Sequence, residues 1–363
     1  MATASGFVKG IAWEIESPFL DVDYEARDAL GVPSLKHLAT KKILSDQRNL
    51  ELEHFRHIPW PIAEQLWQYL TRSGKRTLHM WKIFCTVYPD QFRQVSQYCK
   101  LGMRTPSFPL AGYMGLVQSS NCCWATSLSI WTQFARVPEL VKLAEMANLV
   151  SLEINTPYTH RNEDKDMAAL NDRILRTWSE LVETSRAFQH LRVLRLYSQQ
   201  NLTGRSFCYL SQLPSLEYCV LAMCDGMTQR SAVKLANSQG WFVIQDDPKH
   251  AMFQFSPCDP SKAFDGHKEW YINHSDDFVP SSLPKNTPLL EFSVGQRCER
   301  LKEGDVITMC RKLDSHNSHA KGNKRNFGDT VSPKRNDAAL KKARKPVMKQ
   351  RGKDLSGMLA EFV

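Results

Sequence analysis

The sequence predicts an α/β fold assembled by repetition. A short solenoid, with parallel strands on its concave side and helices outside, follows an N-terminal helical cap and precedes a disordered basic C-terminal tail. Two observations lead there. Four segments share the spacing apolar-x-x-apolar-x-apolar: Ala125-Thr-Ser-Leu128-Ser-Ile130, Leu149-Val-Ser-Leu152-Glu-Ile154, Leu191-Arg-Val-Leu194-Arg-Leu196 and Leu216-Glu-Tyr-Cys219-Val-Leu221. Their starts lie 24, 42 and 25 residues apart. Between Lys321 and Lys353, twelve Lys and Arg stand against Asp329 and Asp337, a charge of +10 in a chain whose net charge is +9. Residues 354–363 add Asp354 and Glu361, so residues 1–320 sit near +1. The basic character belongs to the tail.

Residues 1–90 form the first region, a helical cap or a docking box. Within "HIPWPIAEQLWQYL" (residues 57–70), Pro59 and Pro61 suit a first helical turn, where the missing N–H has no partner anyway. Ile62, Leu66, Tyr69 and Leu70 then follow at i, i+4, i+7 and i+8, one helix face. Either this face caps the solenoid, as terminal repeats require, or it receives a partner. Upstream, Leu35 and Ile43 lie in "PSLKHLATKKI".

Residues 91–245 hold the repeats. Intervals of 24 and 25 fit a leucine-rich repeat of about 20–29 residues, and the polar segment "YTHRNEDKDMAALNDR" accounts for the interval of 42. Each strand would return through a helix covering the same core. Leu140, Leu143, Ala144 and Ala147 give one such helix, and Ala232, Val233, Leu235 and Ala236 another. "WFVI" (241–244) reads as a closing edge strand. The alternative is an ordinary α/β domain with a few buried strands. Residues 246–310 form a partly ordered flank, with "AMFQF", "EWYI" and "LLEFSV" apolar enough to pack back. Residues 311–363 are polar and charged enough to be disordered.

The last repeat, "LEYCVLAMCDGMTQRSAVKLA", resembles the cysteine-containing leucine-rich repeats of ribonuclease-inhibitor-like proteins. Cys224 stands at the ninth position, where a small polar side chain satisfies backbone groups of the turn, and Met227-Thr228 and Leu202-Thr203 occupy the following apolar-Thr step. The other ninth positions are Gln133, Pro157 and Gln199, which predict irregular turns. Phe55, Ile58-Pro59, Ile62-Ala63-Glu64, Leu66, Leu78, Phe84 and Tyr88 extend the likeness to the leucine-rich-repeat-containing protein forty-two family, over residues 30–245. That resemblance implies a non-catalytic protein.

Ser34 to Ile43, read with Ile58-Pro59-Trp60-Pro61, looks like a suppressor-of-cytokine-signalling box. That likeness implies Leu35 as anchor in a pocket of elongin C, Ile43 beside it, and a cullin-selecting turn at Pro59; Ala39 stands where the box has Cys. The helix alone resembles the start of an F-box, which implies a Skp1-like adaptor, although Pro61 replaces the Glu of that motif. Boxes joined to such repeats belong to substrate receptors of cullin ubiquitin ligases.

No Walker loop, G-x-S-x-G, G-x-G-x-x-G or H-E-x-x-H occurs. Ten Cys are scattered with no C-x-x-C pair, so reduced thiols and no cofactor or metal are expected. His54/His57 and His316/His319 lack further ligands at matching spacing. With no apolar run of membrane-spanning length and no apolar leader, no membrane partner is expected. Lys334, Arg335, Lys341, Lys342, Arg344 and Lys345 have the form of a nuclear import signal read by importin; the alternatives are a solvating tail and non-specific nucleic-acid contact. Leu355, Met358, Leu359 and Phe362 align on one face of a short terminal helix. The expected function is protein binding in the nucleus, as scaffold, adaptor or ligase receptor, with a nucleic-acid-associated scaffold as the rival.

Overall fold

Each of the four repeated segments becomes a strand, and the four lie side by side. The computed structural model describes residues 17, 19, 20, 34–157, 168–244, 283, 287–295 and 306–311, all within the larger of the chain's two units, Met1–Ser315. Strands β2 (Ala125–Trp131), β3 (Leu149–Asn155), β4 (Val193–Tyr197) and β5 (Tyr218–Ala222) pair in parallel and in sequence order. Alternate side chains point to opposite faces of a strand. Leu128, Ile130, Leu152, Ile154, Leu194, Leu196, Cys219 and Leu221 therefore share one face, and all are buried in a single apolar core.

Two strands from the C-terminal flank are threaded into this array. β1 (Tyr98–Met103) and β6 (Trp241–Val243) form the two edges. β7 (Leu289–Val294) runs parallel between β1 and β2, and β8 (Val306–Arg311) runs antiparallel between β5 and β6. The eight strands thus run β1-β7-β2-β3-β4-β5-β8-β6. "WFVI" does supply an edge strand, but its neighbour is β8 and not the preceding repeat. "LLEFSV" supplies β7, whose Leu290, Phe292 and Val294 join the main core.

Among the described residues, five α-helices precede the repeats: α1 (Leu35–Ile43), α2 (Leu52–Arg56), α3 (Trp60–Arg72), α4 (Leu78–Val87) and α5 (Pro89–Val95). Pro59 caps α3 and Pro61 sits in its first turn, as the proline pair requires. Trp67 packs edge-on to Phe92 at 4.7 Å and against Phe84 at 5.2 Å. The Tyr88 hydroxyl reaches the carbonyls of Phe55 and Ile58 at 2.8 and 2.7 Å. These contacts join α2–α5 into one aromatic body.

Between strands the chain returns through α6 (Leu110–Val117), α7 (Val137–Lys142), α8 (Asp172–Ser185), α9 (Ser206–Leu210), α10 (Asp225–Thr228) and α11 (Arg230–Ser238). Among these, α6, α7, α8, α9 and α11 touch one another in turn, and Trp178 on α8 donates its indole N–H to Leu140 on α7 at 3.0 Å. Leu140, Leu143 and Ala144 are buried as their spacing predicts. Ala147 is exposed, because α7 gives way to a 3-10 turn over Leu143–Glu145 that brings Met146 inward instead.

The turns after β4 and β5 share a backbone conformation and reach equivalent carbonyls. Ser198 and Met223 adopt left-handed backbone, φ 57° and 52°. The next side chains then bond carbonyls of their own and the preceding strand. Gln199 Nε2 donates to Tyr197 O at 2.8 Å and Ile154 O at 3.2 Å; Cys224 Sγ reaches Ala222 O at 3.4 Å and Leu196 O at 3.3 Å. Gln199 therefore builds a regular turn, against expectation, because its amide spans the same gap as the thiol. At β2 and β3 the side chains one residue earlier pair with each other instead, the Thr132 hydroxyl donating to the Thr156 hydroxyl at 3.0 Å. Gly226 fits this tight stacking, since a Cβ there would lie 2.0 Å from the Leu202 carbonyl oxygen.

Candidate functional site

A helix on a protein surface normally turns its apolar stripe inward. α1 does the reverse. At 100° per residue, Leu35, Leu38, Ala39, Lys42 and Ile43 fall on one side and His37, Thr40 and Lys41 on the other. The second set is half-buried, and the His37 ring meets Tyr69 of α3 edge-on at 5.8 Å. The apolar set faces out: Leu35 is 84% exposed, Leu38 48% and Ile43 47%. No residue of α1 is buried. The helix is nucleated by Ser34, whose hydroxyl accepts from His37 N at 3.2 Å, and is anchored by Leu44, fully buried just past its end.

α3 divides differently. Pro59 and Ile62, at its start, are exposed. Leu66 and Tyr69 are 3% and 4% exposed and, with Trp67, belong to the core. They are unavailable for docking because Phe84 and Phe92 need an apolar cover, and α3 supplies it. The body of α3 is thus packed into the helical body with Phe84 and Phe92, while α1 and the first turn of α3 carry the exposed part of the expected docking set. Leu38 completes that exposed set, and its position three residues after Leu35 would have revealed it. Phe19, 44% exposed, lies separately under the Arg48 guanidinium at 4.5 Å and is bridged to Asp46.

The strand face opposite the helices is mixed: two apolar clusters, Ala125, Val150, Val193, Tyr218 and Leu289, and Tyr197, Val220 and Ala222, flank two polar rows. In register across it lie Lys100, Glu291, Ser127 and Ser151, then Ser293, Ser129, Glu153 and Arg195. Lys100 Nζ lies 3.0 Å from Glu291 Oε2, Ser129 Oγ donates to Glu153 Oε1 at 2.9 Å, and Arg195 Nη1 donates to Ser151 Oγ at 3.2 Å. Ser127, Ser129, Ser151, Glu153, Arg195 and Glu291 are all buried. These six side chains are therefore not exposed on that face.

Three buried thiols and one imidazole have structural roles. Burial pushes the Cys85, Cys219 and Cys224 thiols up, Cys224 to about 11, away from the thiolate that a nucleophile or metal ligand needs. His54 Nδ1 accepts the Glu51 backbone N–H at 3.0 Å, closing a capping box at α2. Among the described residues no group of His, Cys, Asp and Glu could hold a metal ion, and no helix is long and apolar enough to cross a membrane. The tail residues Lys334, Arg335, Lys341, Lys342, Arg344, Lys345, Leu355, Met358, Leu359 and Phe362, and the pair His316/His319, lie outside the described residues.

Compared with protein-family models, curated proteins and solved structures, the chain matches none.

Proposed function

We propose that the chain is a protein-binding adaptor without chemistry of its own, and that α1 is the surface it offers. The reversed helix carries this reading. Fully burying a leucine contributes about 1.5–3 kcal/mol, so a partner with an apolar pocket gains most from Leu35 and Leu38. Lys36 and Lys42, exposed beside them, favour an acidic rim on that partner.

The sharper form is a substrate receptor of a cullin ubiquitin ligase, with elongin C or a Skp1-like adaptor on Leu35. The likeness of Ser34–Ile43 and Pro59–Pro61 to the docking box supports it. A leucine-rich-repeat solenoid interrupted by β7 and β8 is the matching fold reading, supported by the turns at Gln199 and Cys224 that recur 25 residues apart. The tail cluster at Lys334–Lys345 would direct the protein to the nucleus through importin.

Affinity purification of the full chain tests the reading. Capture of elongin C, a Skp1-like adaptor or a cullin by the wild type, lost in Leu35→Asp, supports the ligase form. Absence of all three, or capture unchanged by Leu35→Asp, removes it. Deleting residues 321–353 should move the protein to the cytoplasm without altering capture; loss of a salt-sensitive nucleic-acid complex on that deletion would favour the scaffold reading instead.

A further inference from the structure

We infer that a second docking site lies at the C-terminal end of α3, a cleft that takes an acidic segment of a partner protein bearing an aliphatic side chain. The cleft measures about 340 Å³ and is lined by Trp67, Gln68, Thr71, Arg72, Arg76 and Val95. That volume is at the small end of ligand pockets, about 300–1,000 Å³, and suits side chains of a peptide better than a cofactor.

The local sequence builds it. α3 ends at Arg72, and Gly74 takes φ 66°, a backbone that favours glycine. Lys75 N then bonds Leu70 O at 3.0 Å and Gly74 N bonds Thr71 O at 3.2 Å, the paired contacts of a helix-ending Schellman turn. The reversal returns Arg76 to the rim that Arg72 already occupies. Trp67, held by Phe84 and Phe92, forms the apolar floor, and Val95 at the end of α5 is 41% exposed beside it.

The polar groups of the lining decide the ligand. The Thr71 hydroxyl is spent on Trp67 O at 2.9 Å, and the Gln68 amide donates to Glu64 at 3.3 Å. Arg72 and Arg76 are exposed and take part in no ion pair or side-chain hydrogen bond among the described residues. The lining contains no carboxylate. Two idle guanidiniums over an apolar floor complement carboxylates, which Arg grips in a bidentate fork, next to one aliphatic group. A nucleic acid fits less well. The floor shows only a small patch of Trp67, 3% exposed, enough for an aliphatic group to touch and too little for a base to stack on, and two cations release few counterions.

This site shares with the adaptor reading only the premise that the ligand is a protein segment, and it does not depend on α1. The test is selection from a phage library of random short peptides, with the full chain as bait in three forms: wild type, Arg72→Glu with Arg76→Glu, and Leu35→Asp. Wild type should enrich peptides that place Asp or Glu beside Leu or Ile. The double variant should lose them, and Leu35→Asp should keep them. A labelled synthetic copy of the most enriched peptide should bind the double variant at least about tenfold more weakly, roughly 1.4 kcal/mol. Arg72→Lys with Arg76→Lys should fall between, because an ammonium cannot form the fork. Peptides without acidic enrichment, equal binding to the double variant, or loss in Leu35→Asp alone would overturn the site. The last outcome would assign the peptides to α1. All substituted side chains are exposed, and coincident thermal unfolding of the variants checks that the fold is intact.

Discussion

The Lys100 ammonium on β1 and the Glu291 carboxylate on β7 lie 3.0 Å apart, the carboxylate almost wholly buried and the ammonium side chain 28% exposed. This unequal burial makes the two ends of the pair unequal in energy. Lys100→Ala removes a cation from a desolvated carboxylate and should cost about 2–4 kcal/mol. Glu291→Gln leaves an ammonium that can turn to water and should cost about 1 kcal/mol. Urea unfolding of both variants with unchanged m-values checks the order; equal costs would mean that the pair is solvated.

Leu35 and Leu66 should separate docking from packing. Leu66→Ala empties a core site and should cost about 2–5 kcal/mol. Leu35→Ala, at an exposed position, should stay within about 0.5 kcal/mol. Chemical denaturation of the two variants reads this directly, and a large loss in Leu35→Ala would show that α1 packs against the body.

Gln199 and Cys224 do equivalent work with unequal groups. Gln199→Ala leaves the carbonyls of Ile154 and Tyr197 without that donor and also removes the acceptor of Leu170 N, and should cost about 2–3 kcal/mol. A thiol is a weak donor, so Cys224→Ala should cost about 1 kcal/mol. Thermal unfolding of both variants ranks the two turns.

Near β4, β5 and β8, Glu217 and His190 should give opposite pH dependence. Burial raises the Glu217 carboxyl to about 7, against the pull of Arg192 and Arg311. The unfolded chain ionises it near 4.5, so between 4.5 and 7 the folded state binds more protons and stability falls as pH rises, by about 3 kcal/mol. Burial and Arg192 lower His190 from 6.5, so its contribution falls as pH drops below 6.5. Stability measured across pH 4.5–7 should lose its falling component in Glu217→Gln and steepen its fall in His190→Asn. A Glu217→Gln curve that overlays the wild type would show that this carboxyl is hydrated.

The strands β2–β5 were legible because their spacing is local: alternation and a fixed return length are written in adjacent residues. The α3 helix was legible for the same reason, from Pro59, Pro61 and the spacing of Leu66 and Tyr69. The direction of α1 was not. A stripe of Leu35, Leu38 and Ile43 looks identical whether it faces core or solvent, and only His37 meeting Tyr69 fixes the choice. The slots of β7 and β8 were also hidden, since "LLEFSV" signals a strand without naming neighbours far along the chain. The cleft beside Arg72 had a visible cue in the helix-ending Gly74, but its use depends on Val95 arriving from α5.

Threading has a consequence for how the protein is made. During synthesis β1 emerges nearly two hundred residues before β7 (Tyr98–Met103 against Leu289–Val294), and β7 is its strand neighbour in the finished sheet. The nascent chain therefore carries an open slot at each end of the array until residues 289–311 leave the ribosome. Distant pairings of this kind form slowly, and unpaired edges invite wrong partners. A premature stop before Leu289 would thus leave a chain with every repeat present and both gaps unfilled, a natural client for chaperones and proteases.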